Sequence, residues 1–222
     1  MDGSESRENL LAVKAASAVK TTGVPAPCWS CRGPVDRSAV FCGTCAAVQP
    51  PGQTDYFTRL GIPPSFDIDG ALLDRRYFEQ QRQLHPDRFA TRTGRERALS
   101  QSQATAINEA YETLKDPLRR ADYLLQTRKG AATPAGCNMV NDNALLMEAL
   151  ELREALAEAG TADAVKLLAR RSETDIESCL RNLSSAFAED DLKMASWLTT
   201  RLKYLRKFAD DCRARRLQLA RA

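Results

Sequence analysis

Four cysteines stand at Cys28-x2-Cys31-x10-Cys42-x2-Cys45. Two residues between the members of each pair let both sulfurs turn toward one point. Two such knuckles supply the four thiolates of a tetrahedral structural zinc site. Gly33-Pro34 and Gly43 follow ligand cysteines, where a knuckle needs tight backbone turns. A stretch of about twenty residues buries too little apolar surface to fold unaided, so a metal is expected to hold it together. One structural zinc is the expected cofactor, with iron in the same cage as the alternative. The other cysteines, Cys137, Cys179 and Cys212, are scattered singly. An odd total of seven with one tight cluster argues against a secreted disulfide framework and for a metal site in a reducing compartment.

The rest of the composition is that of an ordinary soluble protein. The chain has 222 residues, 43% apolar and 27% charged, with a formal charge of +3. That balance demands neither nucleic acid nor an acidic membrane. No apolar run approaches the roughly 18 residues a membrane span needs. The first eight residues carry Asp2, Glu5 and Glu8 and no hydrophobic core, and transit peptides avoid acids. The expected compartment is the bacterial cytoplasm, or the mitochondrial matrix for a eukaryotic homologue. His85 is the only histidine, so any imidazole chemistry rests on that ring.

No alternating apolar run is long enough for a sheet, and the expected fold is all-α. Residues 1–26 are expected to be a flexible tail, with a short helix possible over 8–19, and 27–49 form the cysteine unit. Pro50-Pro51-Gly52-Gln53 reads as a linker that separates it from a helical domain over 54–128. A second linker, 129–143, precedes a C-terminal three-helix domain over 144–222. Chelation is accordingly expected to unfold 27–49 alone.

In residues 69–84, Leu73, Tyr77, Gln80 and Leu84 recur at helical spacing, with Phe78 and Gln81 beside them. The outer face carries Arg75, Arg76 and Arg82. His85-Pro86-Asp87 then ends the helix, because a residue before proline leaves the helical region. Residues 95–115 form a second helix, with Ala106, Ala110 and Leu114 on one stripe beside Ile107 and Tyr111. Two antiparallel helices would put the tripeptide at an exposed tip.

This constellation resembles a J domain: Asp55-Tyr56-Phe57-x-x-Leu60-Gly61, a basic helix, His85-Pro86-Asp87, then Ile107-Asn108-x-Ala110-Tyr111-x-Thr113-Leu114. The resemblance implies that the tripeptide and its basic flank dock on a DnaK-type chaperone and stimulate its ATPase. A rigid tip with basic flanks suits an acidic groove, where charge steers encounter. Asp87-Arg88-Phe89-Ala90 and Pro117-Leu118-x-Arg120-Ala121-x-Tyr123-Leu124-Leu125 resemble the HscB family in particular, the J-protein co-chaperones of iron–sulfur cluster transfer. So does Leu146-Met147-Glu148-Ala149-Leu150-Glu151-Leu152-Arg153-Glu154. The resemblance spans 54–208, with the cysteine unit as an accessory that some members carry. It implies a chaperone-binding set of His85, Pro86, Asp87, Arg75, Arg76, Arg82 and Arg88.

Helix 144–159 carries two apolar strips. At about 100° per residue, Leu145, Ala149, Leu152 and Leu156 fall within about 40° of one line. Leu146 and Leu150 fall about 100–140° away, and Met147 and Glu154 about 180–200° away. Either two neighbouring helices cover both strips, or the second is a partner-binding face. The HscB resemblance implies the latter: an IscU-type cluster scaffold bound by Leu146, Met147, Leu150, Glu151 and Glu154, with Tyr204 from the last helix. Glu158 stands where the family has Arg.

The leading reading is thus an adaptor rather than an enzyme, with the catalytic residues in the partner ATPase. The rival is a zinc-ribbon nucleic-acid-binding protein with helical appendages, resting on Cys28–Cys45 and a basic last helix. It has only Arg32, Arg37 and the single aromatic Trp29 for a phosphate and stacking track. A rubredoxin-like electron carrier is the third reading, to be told by colour and metal analysis.

Overall fold

The computed structural model describes residues 25–129 and 143–220. The expected helix over 8–19, Cys137 and most of both the tail and the second linker lie outside the described residues. Among those described, the architecture is two short strands followed by seven helices, and no helix is long and apolar enough to cross a membrane.

β1 (Ala26–Pro27) and β2 (Pro34–Val35) pair antiparallel across the first cysteine knuckle. α1 (Tyr56–Leu60) starts where Asp55 accepts the Thr58 N–H, and ends at Gly61, whose φ of 65° is the left-handed conformation glycine tolerates. α2 (Gly70–Leu84) starts at Asp69, which accepts from the amides of Ala71 and Leu72. α3 (Gly94–Lys115) opens with a reciprocal cap: Thr93 accepts the Glu96 N–H, and Glu96 accepts the Thr93 N–H. α2 and α3 form the expected antiparallel hairpin. Tyr77 stacks on Tyr111 at 3.9 Å between centroids, and the Tyr111 hydroxyl donates to Asp74 at 2.8 Å. α4 (Pro117–Lys129) crosses behind α1, where Tyr56 and Tyr123 stack at 4.3 Å.

α5 (Asn143–Glu158), α6 (Ala162–Ala188) and α7 (Leu192–Leu219) make the C-terminal bundle. Leu156 and Ala159 meet Val165 of α6 and Phe208 and Cys212 of α7 in one buried cluster. α6 and α7 turn back on each other at Asp190, a non-glycine residue with φ 55°.

The two helical regions share one core. Phe57, Leu60, Phe66, Ile107 and Leu124 pack in the same buried cluster as Cys179, Leu183, Phe187, Leu198 and Leu202. Phe66 stacks on Phe187 at 5.1 Å. Ion pairs rim this seam: Arg206–Asp116 at 2.7 Å, Lys203–Asp122 at 2.8 Å and Arg128–Asp190 at 2.9 Å.

The cysteine unit departs from the expected independent body. Val48 is fully buried in that same core, with Val40 and Phe41 packed against it. Residues 50–53 are pinned too. The Gly52 carbonyl accepts from Arg59 Nη2 at 2.7 Å, and a side chain at Gly52 would lie 2.5 Å from the Arg37 carbonyl oxygen. So Pro50-Pro51-Gly52-Gln53 is a strap bound on both sides. Its composition is that of a linker, but apolar Val48 just before it has a hydrophobic surface to join.

Candidate functional site

α2 stops at His85 for the reason its sequence implies. Before Pro86 the backbone takes φ −55°, ψ 132°, outside the helical region. Pro86–Phe89 then forms a single 3₁₀ turn. His85 caps it: its Nδ1 accepts the Asp87 N–H at 3.3 Å. The Asp87 carboxylate lies 3.5 Å from the same Nδ1. The loop is rooted by buried Leu84 and Phe89 at either end. Ser100 of α3 donates to the Leu84 carbonyl at 2.8 Å, and Arg97 to the Ala90 carbonyl at 3.2 Å. The His85 and Asp87 side chains remain 58% and 91% exposed.

Arg75, Arg76, Arg82 and Arg88 are all exposed. Arg76 is partly engaged by Glu79 at 3.5 Å. Arg75 and Arg82 share a face with Phe78, one turn from each. Phe78 is 57% exposed, although the sequence pattern sets it beside the core stripe. Tyr77 takes the inward place against Tyr111 instead. The spacing of Arg75, Phe78 and Arg82 puts Phe78 on the basic face, one turn from each arginine.

On α5, Leu145 and Leu156 are buried and Ala149 and Leu152 are half-buried, as the first strip requires. The second strip is uncovered: Leu146, Met147 and Leu150 are 48%, 55% and 49% exposed. Glu151, Glu154 and Glu158 are exposed along the same helix. Tyr204 of α7 is also exposed and borders a cleft with Ala149, Leu152 and Arg153. Between the strips Glu148 receives Arg201 of α7 through both carboxylate oxygens, the shortest contact being 2.6 Å. This fork fixes the rotation of α5 on α7. It pairs residues 53 positions apart, which no local spacing reveals.

The four cysteine sulfurs lie within 4.8 Å of one another. Cys28–Cys45 and Cys31–Cys42 are each 3.7 Å apart. A tetrahedron with metal–sulfur bonds of about 2.3 Å has edges of about 3.8 Å, so the cage fits one thiophilic ion. The amides of Ser30 and Thr44 point at Cys28 and Cys42 sulfurs at 3.3 and 3.4 Å. Backbone donation, from Cys31 above all, brings the Cys28 thiol down to about 6. Cys42 is lowered likewise, chiefly by the Cys45 amide. For Cys31 the Gly33 amide pulls down, but burial and the neighbouring sulfurs outweigh it and push the thiol up to about 12. Four thiols this close ionise together only around a cation. Trp29, the aromatic of the nucleic-acid reading, lies under the Arg95 guanidinium at 4.3 Å and donates to the Val48 carbonyl at 2.7 Å.

Residues 141–213 match the family described as the HSCB C-terminal oligomerisation domain, and residues 55–123 match the DnaJ domain. The human iron–sulfur cluster co-chaperone protein HscB is 34% identical over 196 residues, which cover 86% of this chain and 83% of that protein. This chain belongs to the HscB family. The crystal structure of human HscB superposes with a TM-score of 0.79, over 86% of this chain and 99% of that one. HscB from Vibrio cholerae, 34% identical, superposes at 0.66 over 75% of this chain and 99% of that chain.

As an HscB protein with a J domain, the chain is a co-chaperone of iron–sulfur cluster assembly. The all-α architecture with a J domain, a C-terminal helical domain and an N-terminal four-cysteine cluster is as its sequence implies. The structure brings His85, Asp87 and Arg88 together around one 3₁₀ turn, and gathers the four cysteines into one cage. Unforeseen were Ser100 and Arg97 under the loop, Glu148–Arg201 under α5, and the packing of the cysteine unit on the J domain.

Proposed function

We propose that this HscB protein recruits a DnaK-type (HscA-like) chaperone through its J domain, stimulates that chaperone's ATPase, and delivers an IscU-type scaffold protein to it. The observation that carries this reading is the His85-Pro86-Asp87 turn. It is clamped from beneath by Ser100 and Arg97, while its polar side chains stay open to solvent. A preorganised tip loses little conformational freedom on docking. Arg75, Arg76, Arg82 and Arg88 flank it and steer it toward an acidic surface.

The scaffold is held by Leu146, Met147 and Leu150, with Glu151, Glu154 and Tyr204 at the rim. Three large apolar side chains about half exposed within two helical turns favour a partner surface, and methionine adapts to the contour it meets. In this reading 54–128 is the chaperone-facing domain, 144–222 the scaffold-facing one, and 27–49 the metal unit. Cys28, Cys31, Cys42 and Cys45 hold one structural zinc, whose role is to organise the unit. A four-thiolate metal site favours a reducing compartment, the bacterial cytoplasm or the mitochondrial matrix of a eukaryote.

The test is the steady-state ATPase of a DnaK-type chaperone with its scaffold, measured with the parent and with His85→Gln. Stimulation by the parent and none by the variant is expected. Equal stimulation by both removes His85 from the docking site.

A further inference from the structure

We propose that Gln49 and Gln103 are positioning residues that tie the four-thiolate cage to the His85-Pro86-Asp87 loop, so that a loaded cage orders the loop. The proposal rests on the reading that this loop docks the chaperone.

The first half of α3 lies between the two sites and holds both. Two of its side chains reach the cysteine unit. Arg95 covers Trp29 at 4.3 Å, and Gln103 Nε2 donates to the Gln49 carbonyl at 2.9 Å. Two others reach the loop: Arg97 donates to the Ala90 carbonyl and Ser100 to the Leu84 carbonyl. Ser100 and Gln103 are one turn apart on the same helix face. The relay ends at a ligand. Gln49 Nε2 donates to the Cys28 sulfur at 3.4 Å and to the Ala47 carbonyl at 2.8 Å.

These polar groups sit where apolar ones are expected. Gln49, Ser100 and Gln103 are only 5%, 1% and 2% exposed. Burying a carboxamide is unfavourable unless its hydrogen bonds are made, and a leucine or methionine would fill the same space. Gln103 Oε1 has no hydrogen-bond partner in the structure, so what Gln103 contributes is its one donated bond to Gln49. Gln49 faces the cage with its side chain and α3 with its backbone.

An ion shared by four thiolates fixes Cys28 at one vertex, and with it the Gln49 carboxamide that donates to its sulfur. Without the ion, the apolar cluster inside the unit is only Cys28, Val35, Cys42 and Ala47, with Trp29 and Ala39 at its edge. That is too little to hold two knuckles. The unit then keeps only the Val48, Val40 and Phe41 contacts to the shared core, Gln49 beside them shifts, and the first three turns of α3 lose the support of the Gln49 carbonyl. The same turns clamp both ends of the loop. Release of metal therefore reaches His85 without any contact between His85 and the cage.

His85 supplies the readout, because it is the only histidine in the chain. In the full chain without a histidine tag, the imidazole carbon-bound protons give one set of resonances. These are recorded with one zinc bound and again after chelation. The parent is expected to show two distinct positions. Zinc-loaded Gln103→Met is expected to keep its zinc and yet lie displaced toward the stripped position. A merely destabilising substitution would lower the melting temperature and leave the folded-state resonance in place. Chelation of the parent should also raise the concentration needed for half-maximal ATPase stimulation several-fold. Identical His85 resonances in the loaded and stripped parent overturn the proposal. So does Gln103→Met remaining at the loaded position. If the resonance follows the metal while His85→Gln still stimulates the chaperone, the coupling stands and the docking role of the loop falls.

Discussion

The loop at His85 is held from beneath by hydrogen bonds to its own backbone carbonyls, from Ser100 and Arg97 of a neighbouring helix. Leu146, Met147 and Leu150 have no such brace; they stand where the helix that carries them puts them, and Glu148–Arg201 sets the rotation of that helix. The first surface offers orientation and charge. The second offers apolar area. Recognition by orientation concentrates in one or two groups, because a misplaced donor is worth little. Recognition by area is spread over several side chains and weakens in proportion to what is removed. The two surfaces should therefore respond differently to substitution and to salt.

The largest effect is expected at the loop. His85→Gln should reduce ATPase stimulation to the basal rate, while scaffold affinity and melting temperature stay at parental values, since the side chain is more than half exposed. A graded, partial loss in the ATPase titration would show that the loop too acts by area.

At α5, the triple Leu146→Ala, Met147→Ala, Leu150→Ala variant should weaken scaffold binding by about 2–4 kcal/mol after association costs, or roughly 30- to 1,000-fold. Calorimetry should show each single substitution accounting for part of that loss. Thermal stability should change little. A sharp drop in melting temperature with retained affinity would make these residues bundle core instead of surface.

Salt sharpens the contrast further. Raising it from about 0.05 to 0.5 M shortens the screening length from above about 10 Å to below about 8 Å. The parent's half-maximal concentration for ATPase stimulation should rise several-fold, since Arg75, Arg76, Arg82 and Arg88 act through charge. Scaffold affinity should hold constant or improve slightly. Equal salt sensitivity at both surfaces would erase the distinction.

The smallest effect lies at the seam that keeps both surfaces in one frame. Burial pushes the Asp116 carboxyl up, but the Arg119 amide, Arg206 and the Leu118 amide outweigh it, so its folded pKa lies below the ordinary value. A depressed carboxyl contributes stability that is complete above the unfolded pKa, about 3.9, and is lost as pH falls through the folded value. Melting temperature should thus fall on acidification below about pH 4, and Arg206→Met should flatten that part of the profile. An unchanged acid limb would leave the Arg206–Asp116 pair without energetic weight.

Local spacing made much of this protein legible. The two C-x2-C pairs specify the cage, because knuckle geometry depends on neighbouring residues. The proline after His85 specifies where α2 ends, because the clash is with the preceding residue. The two strips of α5 follow from helical period, and in the first Leu145 and Leu156 are buried and Ala149 and Leu152 half-buried. Hydrophobicity alone cannot say which of two adjacent aromatics finds a partner across the hairpin: Tyr77 has Tyr111 opposite, and Phe78 is exposed.

Chain-local chemistry thus determined the all-α class, the cage and the exposed tip, since caps, turns, ligand spacing and helical period act over a few residues. Whether the second strip of α5 was to be covered was decided only when the chain folded, by how α5 lies on α7. Tertiary packing also seated Val48 in a core shared by both helical regions, pinned the 50–53 strap, and placed α3 between the cage and the loop. The physical reason is range. Burial and long-range hydrogen bonds pair whichever surfaces meet, such as Gln49 with Gln103 or Glu148 with Arg201, each pair 53 or 54 residues apart, and no periodicity within one segment records what lies opposite it.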